Sequence, residues 1–292
     1  FYWSEGSFKD LPPAGEGKFS EAHFINADYV LFTREDDEEK KNAWYWNKNT
    51  DTGGVLGRII GATLTEPVGI NSQNQAVVNS EGTTAVFHDL DVDVVQSLNH
   101  LPGEDQTTTA SAINDSGYVV GTSGSLAFFW DGGSMYPCGH LGGGSSEATG
   151  LNNKPYPQTQ VVGHSTIGNG ATHAFIWALN TGGTGEMKDL GTLGGENSWA
   201  TAINDNGLVV GYSETGEIYN QGGITQPIVH ACAWYGDVIY DLGIHNDFYE
   251  YPFVQPYPFS EAIDVNDDGR IAGNSFTINS HYRGFVIDAV MP

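Results

Sequence analysis

Positive charge is scarce in this chain of 292 residues: 11 Lys and Arg stand against 36 Asp and Glu, a formal charge of −25. Such a field repels phosphates and anionic polymers, which argues against nucleic acid and anionic polysaccharide as main partners. No apolar run approaches the ~18 residues of a spanning helix, so no transmembrane segment is expected. Cysteine is nearly absent. Cys138 and Cys232 are too few for a disulfide framework; they either pair or sit as small buried hydrophobes. Helical periodicity is missing as well, since no long window carries apolar residues at helical spacing. Glycine, at 39 residues, and aromatics, at 12%, are what the chain has instead. Disordered chains are poor in aromatics, and collagen needs a three-residue glycine period that is lacking here. Phe1 in place of an initiator Met reads as processing, with any signal peptide already removed. The acidic, Asn-, Gly- and Thr-rich composition fits a secreted protein.

Internal repeats organise the chain. Residues 110–121 read Ala-Ser-Ala-Ile-Asn-Asp-Ser-Gly-Tyr-Val-Val-Gly, and residues 200–211 read Ala-Thr-Ala-Ile-Asn-Asp-Asn-Gly-Leu-Val-Val-Gly. Weaker copies place Asn26, Asn71, Asn152 and Asn266 after an apolar residue, so the six asparagines lie 45, 43, 38, 52 and 62 residues apart. A second motif, His173-Ala174-Phe175-Ile176-Trp177, recurs at 230–234, 126–130 and 43–46. It degenerates at 85–88, at Phe1-Tyr2-Trp3 and at 283–286. A third, Asp189-Leu190-Gly191, recurs at 241–243 and more faintly at Lys9-Asp10-Leu11.

Each motif is a short run of Val, Ile, Phe, Trp or Tyr bounded by Gly, Asn and Asp, which is the signature of a strand. Asn114-Asp115-Ser116-Gly117 and Asn204-Asp205-Asn206-Gly207 lie between two such runs and read as hairpin turns. Four short antiparallel strands per unit, repeated, predict an all-β fold: a six-bladed β-propeller of four-stranded antiparallel blades, as a single domain over 1–292. The order Asp-Leu-Gly-Thr-Leu-Gly-Gly, Ser-x-Ala-x-x-Ile-Asn, Gly-x-Val-Val-Gly, His-Ala-Phe-x-Trp resembles the HAF repeat of predicted bacterial extracellular proteins, most specifically over residues 108–241. That resemblance implies a secreted or cell-surface propeller whose biochemical role is mostly unassigned.

Counting strands leaves one over. Six of each of the other strand types accompany seven of the His-Ala-Phe-x-Trp type, because both Phe1–Trp3 and Arg283–Val290 carry one. Six blades close if Lys9-Asp10-Leu11 joins the strands of Ile263 and Ile271. The surplus is then either a degenerate end or a strand that pairs with a neighbouring molecule, giving self-association through the two terminal strands.

Chemistry is harder to read. The nine histidines are His23, His88, His100, His140, His164, His173, His230, His245 and His281. A polysaccharide lyase would use such a histidine beside a cation that neutralises a uronate, and Arg58, Arg270 and Arg283 lie on degenerate repeats. His173 and His230 recur at equivalent places, however, which favours a structural role. Asp264, Asn266 and Asp268 have the spacing of a calcium loop, Asp-x-Asn-x-Asp-Gly; the competing reading is an acidic version of the common hairpin turn. The residue five before each repeat asparagine is Glu21, Glu66, Thr109, Glu147, Trp199 or Glu261. The four glutamates would form a ring able to hold Ca²⁺, or would simply solvate the blade edge. The expected function is a secreted or cell-surface structural or adhesive module, more readily a non-enzyme. A carbohydrate-active lyase and a neutral-sugar lectin are the alternatives, each with an extracellular polysaccharide as partner.

Overall fold

The computed structural model describes residues 2–4, 7–9, 19–35, 40–57, 65–80, 84–105, 107–180, 185–221, 224–243, 259–276 and 282–289. Among them every regular element is a strand, and no helix is long and apolar enough to cross a membrane. A two-stranded piece comes first, β1 (Tyr2–Ser4) with β2 (Ser7–Lys9). Sheet one is β3 (Ser20–Ile25), β4 (Tyr29–Glu35), β5 (Lys41–Asn47) and β6 (Thr52–Val55). Sheet two is β7 (Thr65–Ile70), β8 (Gln75–Ser80), β9 (Val86–Asp89) and β10 (Val94–Ser97). Sheet three is β11 (Thr108–Ile113), β12 (Val119–Ser123), β13 (Leu126–Trp130) and β14 (Met135–Gly139). Sheet four is β15 (Gly142–Leu151), β16 (Gln160–Ile167), β17 (Thr172–Leu179) and β18 (Gly185–Asp189). Sheet five is β19 (Ser198–Ile203), β20 (Val209–Gln221), β21 (Ile224–Tyr235) and β22 (Val238–Gly243). Sheet six holds β23 (Ser260–Val265), β24 (Arg270–Phe276) and β25 (Tyr282–Asp288).

Each sheet is an antiparallel meander in chain order, which is the strand plan of a propeller blade, and the fold is a β-propeller of six such blades. Among the described residues Lys9 pairs with Tyr2, and Asp10 and Leu11 lie outside them. The chain divides into two compact units, residues 1–124 with 129–136, and residues 125–128 with 137–292.

Within the second unit the physical cause of each repeat motif is visible. The paired valines serve two cores. Val209 packs with Val162, Ala174 and Trp234 on one side of sheet five, and Val210 packs with Ala233, Ala262 and Ile271 on the other. Successive strand residues point to opposite faces, so a sheet stacked on both sides needs apolar residues at both. The glycine after them sits opposite a bulge in the first strand. A Cβ on Gly163, Gly211 or Gly273 would run into the backbone carbonyl oxygen of Glu147, Trp199 or Glu261.

The other motifs are hydrogen-bond staples. Ser198 Oγ accepts the Ala174 N–H at 2.9 Å and donates to the Gly191 carbonyl at 2.7 Å, tying sheet four to sheet five. Ser260 does the same with Ala231 and Gly243, and Ser146 with Ala127 and Gly139. His173 bonds Asp189 at 2.8 Å and His230 bonds Asp241 at 2.9 Å, across the third and fourth strands. Asn204 Oδ1 accepts the N–H groups of Asn206 and Leu208, and its Nδ2 donates to the Asn266 carbonyl of the next sheet. In the first unit Asn71 Nδ2 reaches the Asn114 carbonyl, and Asn26 Nδ2 the Asn71 carbonyl. Sheet two has no turn glycine. Asn74 takes its place at φ +59°, in the left-handed region that Asn tolerates better than most residues. Cys138 and Cys232 are both buried and unpaired, and burial pushes both thiols up, which leaves them unreactive.

Candidate functional site

With the repeat residues committed to structure, the variable positions of each first hairpin remain. The residue five before the asparagine lies on the first strand, directly opposite the residue that follows the Val-Val-Gly glycine on the second. In the second unit these pairs are Glu147↔His164, Trp199↔Tyr212 and Glu261↔Asn274. The first strands β15, β19 and β23 run side by side, so the three pairs form one strip. In the first unit the pairs are Glu21↔Thr33, Glu66↔Asn79 and Thr109↔Thr122. There Asn79 is consumed by the Ala110 backbone, to which it both donates and accepts at 2.8 Å.

The middle of the strip is aromatic. Trp199 and Tyr212 stack with centroids 5.0 Å apart and planes 24° apart, and Phe259 stands 6.1 Å beyond Tyr212. All three rings are partly exposed. Polar groups flank them. Glu147 lies 3.7 Å from His164 Nε2, and Glu261 Oε1 accepts from Asn274 Nδ2 at 3.3 Å. Burial chiefly raises the Tyr212 phenol pKa, and the fields of Glu261 and Glu147 raise it further, so both carboxylates act on the aromatic centre. The arrangement offers apolar ring edges and faces beside hydrogen-bond acceptors, an amide and an imidazole.

His164 is three-quarters buried, and its Nδ1 has no partner among the described residues. Burial therefore pulls its pKa below the ordinary value, against an upward pull from Glu147. Unfolded, it titrates near ~6.5 and takes up a proton first as the pH falls. The stability held at neutral pH is thus lost as pH drops from about 6.5 toward the lower folded value. His164→Gln should flatten that part of the pH profile of the thermal midpoint. An unchanged slope would assign it to other groups.

The remaining sequence candidates are placed as follows. Glu21, Glu66 and Glu147 are exposed and Glu261 is half-buried. Among the described residues no three His, Cys, Asp or Glu side chains stand together as a metal site. Asp264, Asn266 and Asp268 sit at the sheet-six hairpin turn. Asn266 Oδ1 accepts the Arg270 N–H at 2.8 Å, as the other turn asparagines do, and Asp264 Oδ1 accepts the Val265 N–H. Arg270 pairs with Asp288, and Lys188 pairs with Asp237 beside a separate cleft of about 570 Å³ lined by Ile176, Met187, Leu190 and Trp234. Arg58, His245 and His281 lie outside the described residues. The sequence singled out Glu147, Trp199 and Glu261, named His164 only as one of nine histidines, and missed Tyr212 and Asn274. Their signal was the residue after each Val-Val-Gly or Ile-Ala-Gly glycine, which gains meaning only from the cross-strand register.

No family model matches this chain, and no curated protein does. Solved structures that resemble it include TolB from Acinetobacter baumannii, at 11% identity and a TM-score of 0.41 over 91% of this chain and 64% of that one. An oligogalacturonate lyase from Vibrio parahaemolyticus matches at 12% identity and a TM-score of 0.34, over 89% and 86%. A mutant Aleuria aurantia lectin in complex with alpha-methyl-L-fucoside matches at 12% and 0.36, over 91% and 90%. The chain spans less than two thirds of TolB and 52% of a puromycin hydrolase that it also resembles.

Proposed function

We propose that this protein is a secreted or cell-surface adhesive β-propeller that binds neutral glycans along the Glu147–Glu261 strip. The observation that carries the reading is the stacked Trp199–Tyr212 pair set between Glu147–His164 and Glu261–Asn274. A sugar has an apolar C–H face, which an aromatic ring accepts, and vicinal hydroxyls, which carboxylates and amides bind in specific directions. The strip has both. Its carboxylates, and the excess of 25 negative charges on the chain, favour a ligand without acidic groups. A uronate lyase is supported less well, because His173 and His230 are spent on Asp189 and Asp241.

Binding to an array of neutral oligosaccharides tests the reading. Trp199→Ala should weaken the best ligand about tenfold, the equivalent of a ring contact near 1.4 kcal/mol. Asn206→Ala, on the hairpin turn and off the strip, should leave the affinity unchanged. An array on which nothing binds, or a Trp199→Ala protein that binds as before, would remove the proposal.

A further inference from the structure

Two residues after the third-strand alanine, the repeat places a ring in three sheets: Tyr45, Phe87 and Phe129. Sheet four has Ile176 there instead. The backbone fixes the correspondence, since Leu56, Leu98 and Leu190 donate to the carbonyls of Ala43, Ala85 and Ala174. Sheet five has the still smaller Ala233, but there Ala262 and Ile271 of sheet six fill the space. Beside Ile176 the space stays open. A cleft of about 570 Å³ lies between sheets four and five, and Gly207 of the hairpin turn lines it, at the other end of β19 from Trp199.

Ile176 lies opposite Lys188 and Ala178 opposite Glu186, so one face of sheet four supplies one wall. Val209 and Trp234 of sheet five supply the other, and Met187 and Leu190 complete the apolar lining. Lys188 pairs with Asp237, which joins the two sheets at the rim. Two groups of the lining have chemistry to offer. Glu186 is exposed and has no ion pair among the described residues. Trp234 is 2% exposed, and its buried indole N–H has no partner among the described residues. A buried donor is normally satisfied, so this one points to an acceptor that arrives from outside the chain.

We propose that this cleft binds a small apolar amine that carries a carbonyl group, the chemistry of an apolar amino-acid amide. The hydrocarbon body fills the space beside Ile176, and the ammonium group faces Glu186. The carbonyl oxygen accepts from the Trp234 indole after side-chain adjustment in the lining, for which the unbranched Met187 is suited. An apolar pocket with a few placed polar groups is the usual form of a small-molecule site. Charge favours a cation. The cleft sets two carboxylates, Glu186 and Asp237, against one ammonium, Lys188, and the whole chain carries −25. The site shares no residue with the glycan strip and does not depend on it.

Titrating the intact protein with phenylalaninamide, followed by NMR, tests the site. A dissociation constant of ~1 mM is expected, which about 12 non-hydrogen atoms can support. The indole N–H resonance that Trp234→Phe removes should shift on binding. N-acetylphenylalanine, an anion without the ammonium, should bind at least tenfold more weakly, and 2-phenylethylamine, without the carbonyl, severalfold more weakly. Ile176→Phe restores the ring of the other sheets and should abolish binding without lowering the thermal midpoint. If the midpoint falls, Glu186→Gln decides, with a severalfold loss of affinity expected. Trp199→Ala should leave the affinity unchanged. Equal affinity for phenylalaninamide and N-acetylphenylalanine would overturn the proposal. So would a Trp234 resonance that stays in place, a loss caused by Trp199→Ala, or no binding at ~10 mM.

Discussion

Replacing Asn204 by alanine should destabilise the unit of residues 125–128 and 137–292 by about 3 kcal/mol, because the buried Leu208 N–H, the part-exposed Asn206 N–H and the Asn266 carbonyl lose their partner together. The Leu208 N–H, 2.9 Å from Oδ1, is buried, the Asn206 N–H lies 3.0 Å from the same oxygen, and the Asn266 carbonyl loses its donor from the neighbouring sheet. A thermal midpoint lowered by roughly 10 °C is the expected reading. Asn204→Asp separates the two halves of the role. It keeps the oxygen that organises the turn but sets a second carboxylate oxygen against the Asn266 carbonyl, so its cost, about 2 kcal/mol, falls on the link between sheets. Equal losses in the two variants would show that the turn contributes little and the link between sheets nearly all.

Gly211→Ala should cost about 3 kcal/mol or more, although it adds a single methyl group. The added Cβ is aimed at the Trp199 carbonyl oxygen, on a backbone held by pairing on both sides, so neither atom can retreat without breaking the ladder. The same change at Gly236, where a Cβ would meet nothing, should cost far less and act only through its φ of +62°. Chemical denaturation of the pair checks the contrast, and similar midpoints for the two would refute a steric role for the bulge. In sheets one and two Phe32 and Val78 hold the equivalent place.

Much of the fold was legible because each repeat residue does one local job. Asn closes the hairpin, Val-Val fills two cores, Ser ties one sheet to the next, and Asp with His bridges strands. Those jobs recur at fixed offsets, so they survive as pattern. The strip was only half legible. Glu147, Trp199 and Glu261 stand out by counting back from an asparagine, but their opposite numbers depend on a bulge that shifts the register between Ala148 and Gly150, Ala200 and Ala202, and Ala262 and Asp264. A bulge is a backbone event, and residue types alone do not mark it. The surplus strand was visible as a count. Both of its holders, Phe1–Trp3 and Arg283–Val290, were visible by motif, and the strand register adds that Trp3↔Phe8 matches Trp234↔Ile239.

The asparagine turns have a consequence for descent. Among the described residues of the second unit, neighbouring turns bond to each other: Asn153 N–H to Asp205, Asp205 N–H to Asp267, Asn204 Nδ2 to the Asn266 carbonyl. A gene segment encoding one such unit can therefore be copied while its turn still finds a like neighbour beside it. Interactions of this nearest-neighbour kind make stability a sum over units and interfaces. The near identity of residues 110–121 and 200–211 is then the trace of a duplication that a more widely connected core would not have tolerated.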